Sequence, residues 1–183
     1  MKYNGCMSRT IGILVEQDYQ DLEVWYPILR FREAGHRVLV IGTGAESYKS
    51  KHGYPVQADR SSAKVSAAEL DAILVPGGWA PDYLRRHESA VKLVRDVYKA
   101  GKPTAAICHA GWMLVSAGIL KGKTVTSFFA IRDDVEAAGA KWVDREVQVD
   151  GNLITARKPE DLPAFCREVL RMLEKPAPKA AAR

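Results

Sequence analysis

The chain has 183 residues, enough for one domain with its own core, and its composition is ordinary for a globular protein: 47% hydrophobic and 27% charged. The net charge of +5 does not amount to a nucleic-acid footprint. Lys175, Lys179 and Arg183 lie in the terminal stretch KPAPKAAAR, and without those three the charge is +2. Elsewhere bases alternate with acids, as in Arg30-Phe31-Arg32-Glu33, the pattern of a solvated face.

No apolar run has the length of a membrane span, and the first eight residues lack the apolar centre of a signal peptide. Cys6, Cys108 and Cys166 are odd in number and show no paired spacing, which points to free thiols and a reducing compartment. The expected location is the cytoplasm, with no membrane or nucleic-acid partner.

Residues 11–15 read as a buried parallel strand. A loop over Asp18–Asp21 leads into a helix with Leu22, Tyr26, Leu29 and Phe31 on or near one face, ended by Gly35, and Pro27 inside it suggests a kink. Residues 38–41 form a second strand, and 48–60 a small hairpin or edge excursion. Ser66-Ala67-Ala68-Glu69 is a capping box before a short helix. A third strand at 72–75 ends in Pro76-Gly77-Gly78, and helical stretches near 80–86 and 88–100 follow. A fourth strand at 104–107 precedes a helix that runs to Gly118. Short strands at 125–126, 142–143, 147–149 and 153–155, a helix over 132–138 and a closing helix near 161–173 complete the pattern. Strands alternating with helices define an α/β domain with a mostly parallel sheet covered on both faces. The expected division is an arm over 1–10, one domain over 11–174 and a disordered tail over 175–183.

Ligands in such sheets bind at the carboxyl ends of the strands. Three features fall there: Asp18–Asp21, Pro76-Gly77-Gly78 and Cys108-His109. The run from Thr104 to Gly111 has the strand–turn–helix form of a nucleophile elbow, with small residues Ala106 and Ala110 flanking Cys108. A helix N-terminus behind the thiol, or an adjacent cation, would lower its pKa. The bland reading is an inert, buried core cysteine. His109 is the candidate base, but neighbours on a regular helix point about 100° apart, so the pair meets only on an irregular backbone. Glycines after strand 72–75 let an amide approach an oxyanion, although Pro-Gly-Gly alone is usually just a turn. No phosphate-binding glycine loop occurs, and His36, His52 and His87 lack metal-ligand spacing, so neither a cofactor nor a metal is expected. Arg157 and Lys158 read as a solvated strand end and Cys166 as buried in the last helix.

These residues resemble the ThiJ/PfpI superfamily, specifically its PfpI-type branch, across nearly all of residues 11–173. The most specific stretches are Asp21-Leu22-Glu23-Val24-Trp25-Tyr26-Pro27, Leu74-Val75-Pro76-Gly77-Gly78, Ala106-Ile107-Cys108-His109 and Val149-Asp150-Gly151-Asn152-Leu153-Ile154-Thr155. The resemblance implies a flavodoxin-like three-layer sandwich assembled as a homodimer or hexamer. It implies Cys108 and His109 as catalytic, with a third member, Asp82, donated by a neighbouring subunit. The oxyanion donors would be the amides of Gly78 and His109, and Trp79 stands at the same site. Two departures are expected to matter: Gln20 at the position of the family's usual glutamate beside the cysteine, and Phe128 where some members carry tyrosine. Glutamine amidotransferases, which take their histidine from a late segment, are excluded because no histidine follows His109.

Two functions follow. One is a cofactor-independent cysteine enzyme acting on a small carbonyl or peptide substrate, as a peptidase, a glyoxalase III-like enzyme or a deglycase. The other is a cysteine-based redox sensor or chaperone-like stress protein, for which a base such as His109 is unnecessary.

Overall fold

The computed structural model describes residues 7–174; Cys6, the rest of the arm before residue 7 and the tail over 175–183 lie outside the described residues. In chain order these form β1 (Thr10–Leu14), α1 (Asp21–Glu33), β2 (Arg37–Gly42), β3 (Ser47–Lys49), β4 (Pro55–Gln57), β5 (Arg60–Ser61), β6 (Ala72–Val75), α2 (Ala80–Leu84), α3 (Glu88–Lys99), β7 (Thr104–Ile107), α4 (Gly111–Ala117), β8 (Thr124–Val125), α5 (Arg132–Ala137), β9 (Lys141–Trp142), β10 (Val147–Asp150), β11 (Leu153–Ala156) and α6 (Leu162–Leu173). The central sheet has the order β10-β11-β7-β6-β1-β2-β5. Its pairs are parallel except the hairpin β10–β11, where Asp150 faces Leu153 across the turn. β6, β7 and β11 are buried along their whole length, which requires cover on both faces. α1 lies beside α6, and α3 beside α4. The result is the α/β sandwich with a mostly parallel sheet and flanking helices.

Amphipathic spacing explains the helices that close it. α6 buries Leu162, Phe165, Cys166, Val169, Leu170 and Leu173, an i, i+3, i+4, i+7 stripe. In α1 the buried set is Glu23, Val24, Pro27, Ile28 and Phe31, whereas Leu22 and Leu29 stand more than half exposed. Of the expected face through Leu22, Tyr26, Leu29 and Phe31, Phe31 is buried and Tyr26 half-buried while the two leucines face out: apolar residues occur on both sides of this helix, and periodicity alone does not choose between them. The helix runs continuously from Asp21 to Glu33 through Pro27. Ser66–Glu69 carries its capping box, with the Glu69 carboxylate accepting from Ser66 N at 2.9 Å, but it caps a single 3-10 turn. The excursion over 48–60 is the hairpin β3–β4, after which β5 joins the edge of the main sheet. β8 and β9 pair in parallel as a separate ribbon.

From β1 the chain turns to β2 on one side, while β6 and β7 extend the sheet on the other. The carboxyl ends of β1, β6 and β7 thus flank the point where strand order reverses, and the candidate residues converge there. None of the helices among the described residues is long and apolar enough to cross a membrane.

Candidate functional site

β7 delivers Cys108 to this crevice. Ile107 is extended (φ −127°, ψ 147°), Cys108 turns to φ +62°, and residues Cys108–Ala110 form a 3-10 turn before α4. A cysteine at positive φ is strained, and surrounding packing has to hold it there. The space left is narrow: a Cβ on Gly111 would lie 2.8 Å from Ile131 Cδ1, and one on Gly77 would lie 2.7 Å from Cys108 Cβ. This irregular backbone brings the neighbouring side chains together, with Cys108 Sγ 3.3 Å from His109 Nδ1.

A residue missed from the sequence completes the centre. Glu23, in the first turn of α1, is fully buried. Its Oε2 accepts from Gly77 N at 2.7 Å, while Oε1 has no hydrogen-bond partner among the described residues; the carboxyl as a whole bears on the Cys108 thiol. Burial pushes the Glu23 carboxyl up to about 7, opposed by the Gly77 amide and the thiol. Burial, then the Glu23 charge, pushes the thiol up to about 12, opposed by the amides of His109 and Gly78. With both groups raised, the thiol keeps its proton through neutral pH while the Glu23 carboxyl gives up its own there. The low thiol pKa expected of an elbow is therefore not found. A 3-10 turn separates Cys108 from α4, and burial, helped by Lys51, lowers the pKa of His109, which stays neutral. A wheel drawn on α1 would have signalled Glu23, since it lies on the stripe of Pro27 and Phe31, where an acid is out of place.

Gln20 takes a different role from the one expected. Its Oε1 accepts from Leu22 N at 2.6 Å and Glu23 N at 3.2 Å, capping α1, and the carboxylate beside the cysteine is Glu23. The short amide cap suits position 20 because an Ncap residue is extended (φ −77°, ψ 122°) with its side chain folded back on the first turn. The site consequently lacks no carboxylate.

Gly78 adopts φ +75° where its backbone meets the Asp18–Gln20 loop; an added Cβ would lie 2.5 Å from Asp18 O and Gln20 N. Its amide and that of His109 both bear on the Cys108 sulfur, so two N–H groups face the reacting atom. The His109 ring is framed by aromatics. Phe128 stacks on it at 4.8 Å between centroids and 28° between planes, Trp112 stands at 5.1 Å and Trp79 at 5.9 Å. Phe128 N also donates to Cys108 O at 3.2 Å. Trp112 flanks His109 and donates from Nε1 to Asp134 Oδ2 at 2.8 Å.

Asp82 lies in α2, half-buried and paired with Arg86; no hydrogen bond joins it to His109 of its own chain among the described residues. Of the other sequence candidates, Cys166 is buried in α6, and Arg157 is held by Asp161 and Asp144. Among the described residues no group of three or more His, Cys, Asp or Glu side chains is placed to hold a metal.

Comparison with known proteins bears on this arrangement. The model of the DJ-1/PfpI family matches residues 9–172. Protein/nucleic acid deglycase 2 of Escherichia coli is 44% identical over 170 residues, covering 91% of this chain and 99% of its own. Deglycase PfpI of Pyrococcus furiosus is 43% identical over 164 residues, covering 90% of this chain and 99% of its own. YraA of Bacillus subtilis, whose cysteine-protease name is provisional, is 38% identical over 169 residues, covering 92% and 100%. Among solved structures, a two-domain protein of Anabaena variabilis with a DJ-1/ThiJ/PfpI-like and a ferritin-like domain superposes with a TM-score of 0.89 at 40% identity, covering 91% of this chain and 48% of that one. DJ-1beta of Drosophila melanogaster gives 0.84 at 27% identity, covering 92% of each.

Proposed function

The chain belongs to the DJ-1/PfpI family, whose curated relatives carry deglycase and cysteine-protease names, and on that premise we propose that it is a cofactor-independent cysteine enzyme acting on carbonyl substrates through Cys108, His109 and an Asp82 supplied by a neighbouring subunit. The observation that carries this reading is the 3.3 Å approach of His109 Nδ1 to Cys108 Sγ at a strained elbow with two amides beside the sulfur.

For Nδ1 to take the thiol proton, the neutral imidazole must carry its hydrogen on Nε2. That hydrogen needs an acceptor, and Nε2 has none among the described residues of its own chain. A carboxylate from another copy would satisfy it and fix the tautomer, the role assigned to Asp82. Cys108 Sγ then attacks the electrophilic carbon, its proton passing to His109, and the amides of Gly78 and His109 receive the developing oxyanion. From a peptide, collapse of the adduct expels the amine, which takes the proton from His109. From a 2-oxoaldehyde nothing leaves, and the hydrogen on the attacked carbon moves to the neighbouring carbonyl carbon through His109. Either route ends in a thioester that water hydrolyses, returning the proton to Cys108. Glu23, raised to about 7, is partly protonated at neutral pH and in that form can lend a proton to the same site. Aromatic walls at Trp79, Trp112 and Phe128 favour a small aldehyde, a glycation adduct or a short peptide over a folded protein.

The sensor reading needs an accessible thiolate; a thiol 8% exposed and pushed up to about 12 supports it poorly. The test is conversion of methylglyoxal to lactate, and release of free amine from a methylglyoxal-treated amine, with the buffer reaction subtracted. Wild type should turn over, and Cys108→Ala and His109→Ala should not. Turnover surviving Cys108→Ala would sink the nucleophile assignment.

A further inference from the structure

Asp82 comes with a brace of its own. Trp79 N donates to Asp18 O at 2.9 Å, and Asp82 N donates to Trp79 O at 3.0 Å, so the start of α2 hangs on the same loop that holds Gly78. The Asp82 side chain is 42% exposed. One turn further on, Arg86 contacts it with Nη2, and only through Oδ2; Oδ1 has no partner among the described residues. Arg86 does not hang free. Its guanidinium carbon lies 4.7 Å over the Tyr83 ring, and Tyr83 OH donates to Asp18 Oδ2 at 3.3 Å. Asp18 itself is fixed at φ +58°. A chain of contacts therefore runs from the strained Asp18 loop through Tyr83 and Arg86 to one oxygen of Asp82.

We infer that Arg86, seated on Tyr83, is a positioning residue that holds one oxygen of Asp82 and presents the other, Oδ1, to His109 of a neighbouring subunit. The inference rests on the proposed interface-completed triad. An exposed aspartate left alone samples its rotamers freely, and aspartate has little reach with which to recover a poor starting geometry. A guanidinium is suited to the task because it is planar, always charged, stacks on an aromatic ring and can grip one carboxylate oxygen. Arg86 touches neither substrate nor reacting atoms and acts only through Asp82.

The experiment is a double-mutant cycle on the full-length protein, read as kcat and KM for methylglyoxal consumption, with oligomeric state checked by size-exclusion chromatography. Arg86→Ala is expected to lower kcat about 3- to 5-fold, the scale of one exposed ion pair, with KM unchanged. Arg86→Lys should recover part of the loss, since it restores charge without the ring-stacked fork. In the Asp82→Asn background, Arg86→Ala should cost nothing further. If Asp82→Asn keeps only a small residual rate while Arg86→Ala matches wild type, the positioning role fails and the triad stands. An equal loss from Arg86→Ala in both backgrounds would show a route that bypasses Asp82 and overturn the inference. Full activity in Asp82→Asn would bring down both the triad and the inference.

Discussion

Replacing Glu23 with glutamine separates the cost of a buried carboxyl from its use. Glu23 is fully buried and its pKa rises from 4.5 to about 7, chiefly through burial. A carboxyl raised on folding leaves its full stabilising share in place below its unfolded value and loses it as pH climbs through the folded one. Stability should therefore fall between about pH 4.5 and pH 7 in wild type. A shift of this size corresponds to about 3 kcal/mol at pH 8.5 and under about 1 kcal/mol at pH 5. Glutamine keeps an oxygen for Gly77 N–H and cannot ionise, so the variant escapes the loss. His109 and the surface groups titrate in both proteins and cancel in the comparison. Urea denaturation at the two pH values should show the variant gaining about 2 to 3 kcal/mol on wild type between pH 5 and pH 8.5. A stability difference that does not change with pH, or a variant that loses ground at pH 8.5, would refute the reasoning.

Removing the Glu23 charge should also speed alkylation of Cys108 at pH 8 several-fold, because that charge is among the causes raising the thiol, while Cys166 stays unlabelled until the protein unfolds. Peptide mapping after iodoacetamide treatment reads both. Phe165→Ala should cost about 3 to 5 kcal/mol, since the ring is fully buried in the α6 stripe, measured by denaturant titration. Gly78→Ala should abolish turnover and destabilise by about 1 to 3 kcal/mol, because φ +75° and a 2.5 Å approach to the Asp18–Gln20 backbone leave no room for a methyl group. Gln20→Ala should lose about 1 kcal/mol of stability as a cap while kcat stays within about twofold of wild type, which distinguishes capping from catalysis.

The sheet was readable because its strands announce themselves: 72–75 is a short apolar run closed by Pro76-Gly77-Gly78 and 104–107 one closed by the Cys108-His109 turn, and both are buried throughout. The elbow was readable for a related reason, since only a strand–turn–helix switch with small neighbours fits Cys108 at positive φ. α1 was harder. The sequence face through Leu22, Tyr26, Leu29 and Phe31 overlaps the buried one through Val24, Pro27, Ile28 and Phe31 only at Phe31, and the choice depends on where β1 lies, which is a tertiary fact. The same ambiguity hid Glu23 and moved its role to Gln20. Protonation was the least legible property. Motif logic says that an elbow thiol ionises easily, whereas burial beside a carboxylate reverses the direction, and burial is a property of the folded chain. The pairing of Asp82 with Arg86 follows from i, i+4 spacing but shows nothing of Tyr83 beneath it until the turn is built.

Subunit complementation tests the central claim most directly. Cys108→Ala, inactive alone, and Asp82→Asn, reduced to a small residual rate, are mixed, exchanged under mild denaturant and assayed after refolding. A mixed pair contains one site with an intact Cys108 and His109 facing an intact Asp82. The account expects about a quarter of wild-type turnover to return, the share set by random assortment in a two-fold dimer. Mixed oligomers that form and remain inactive would contradict a triad completed across the interface.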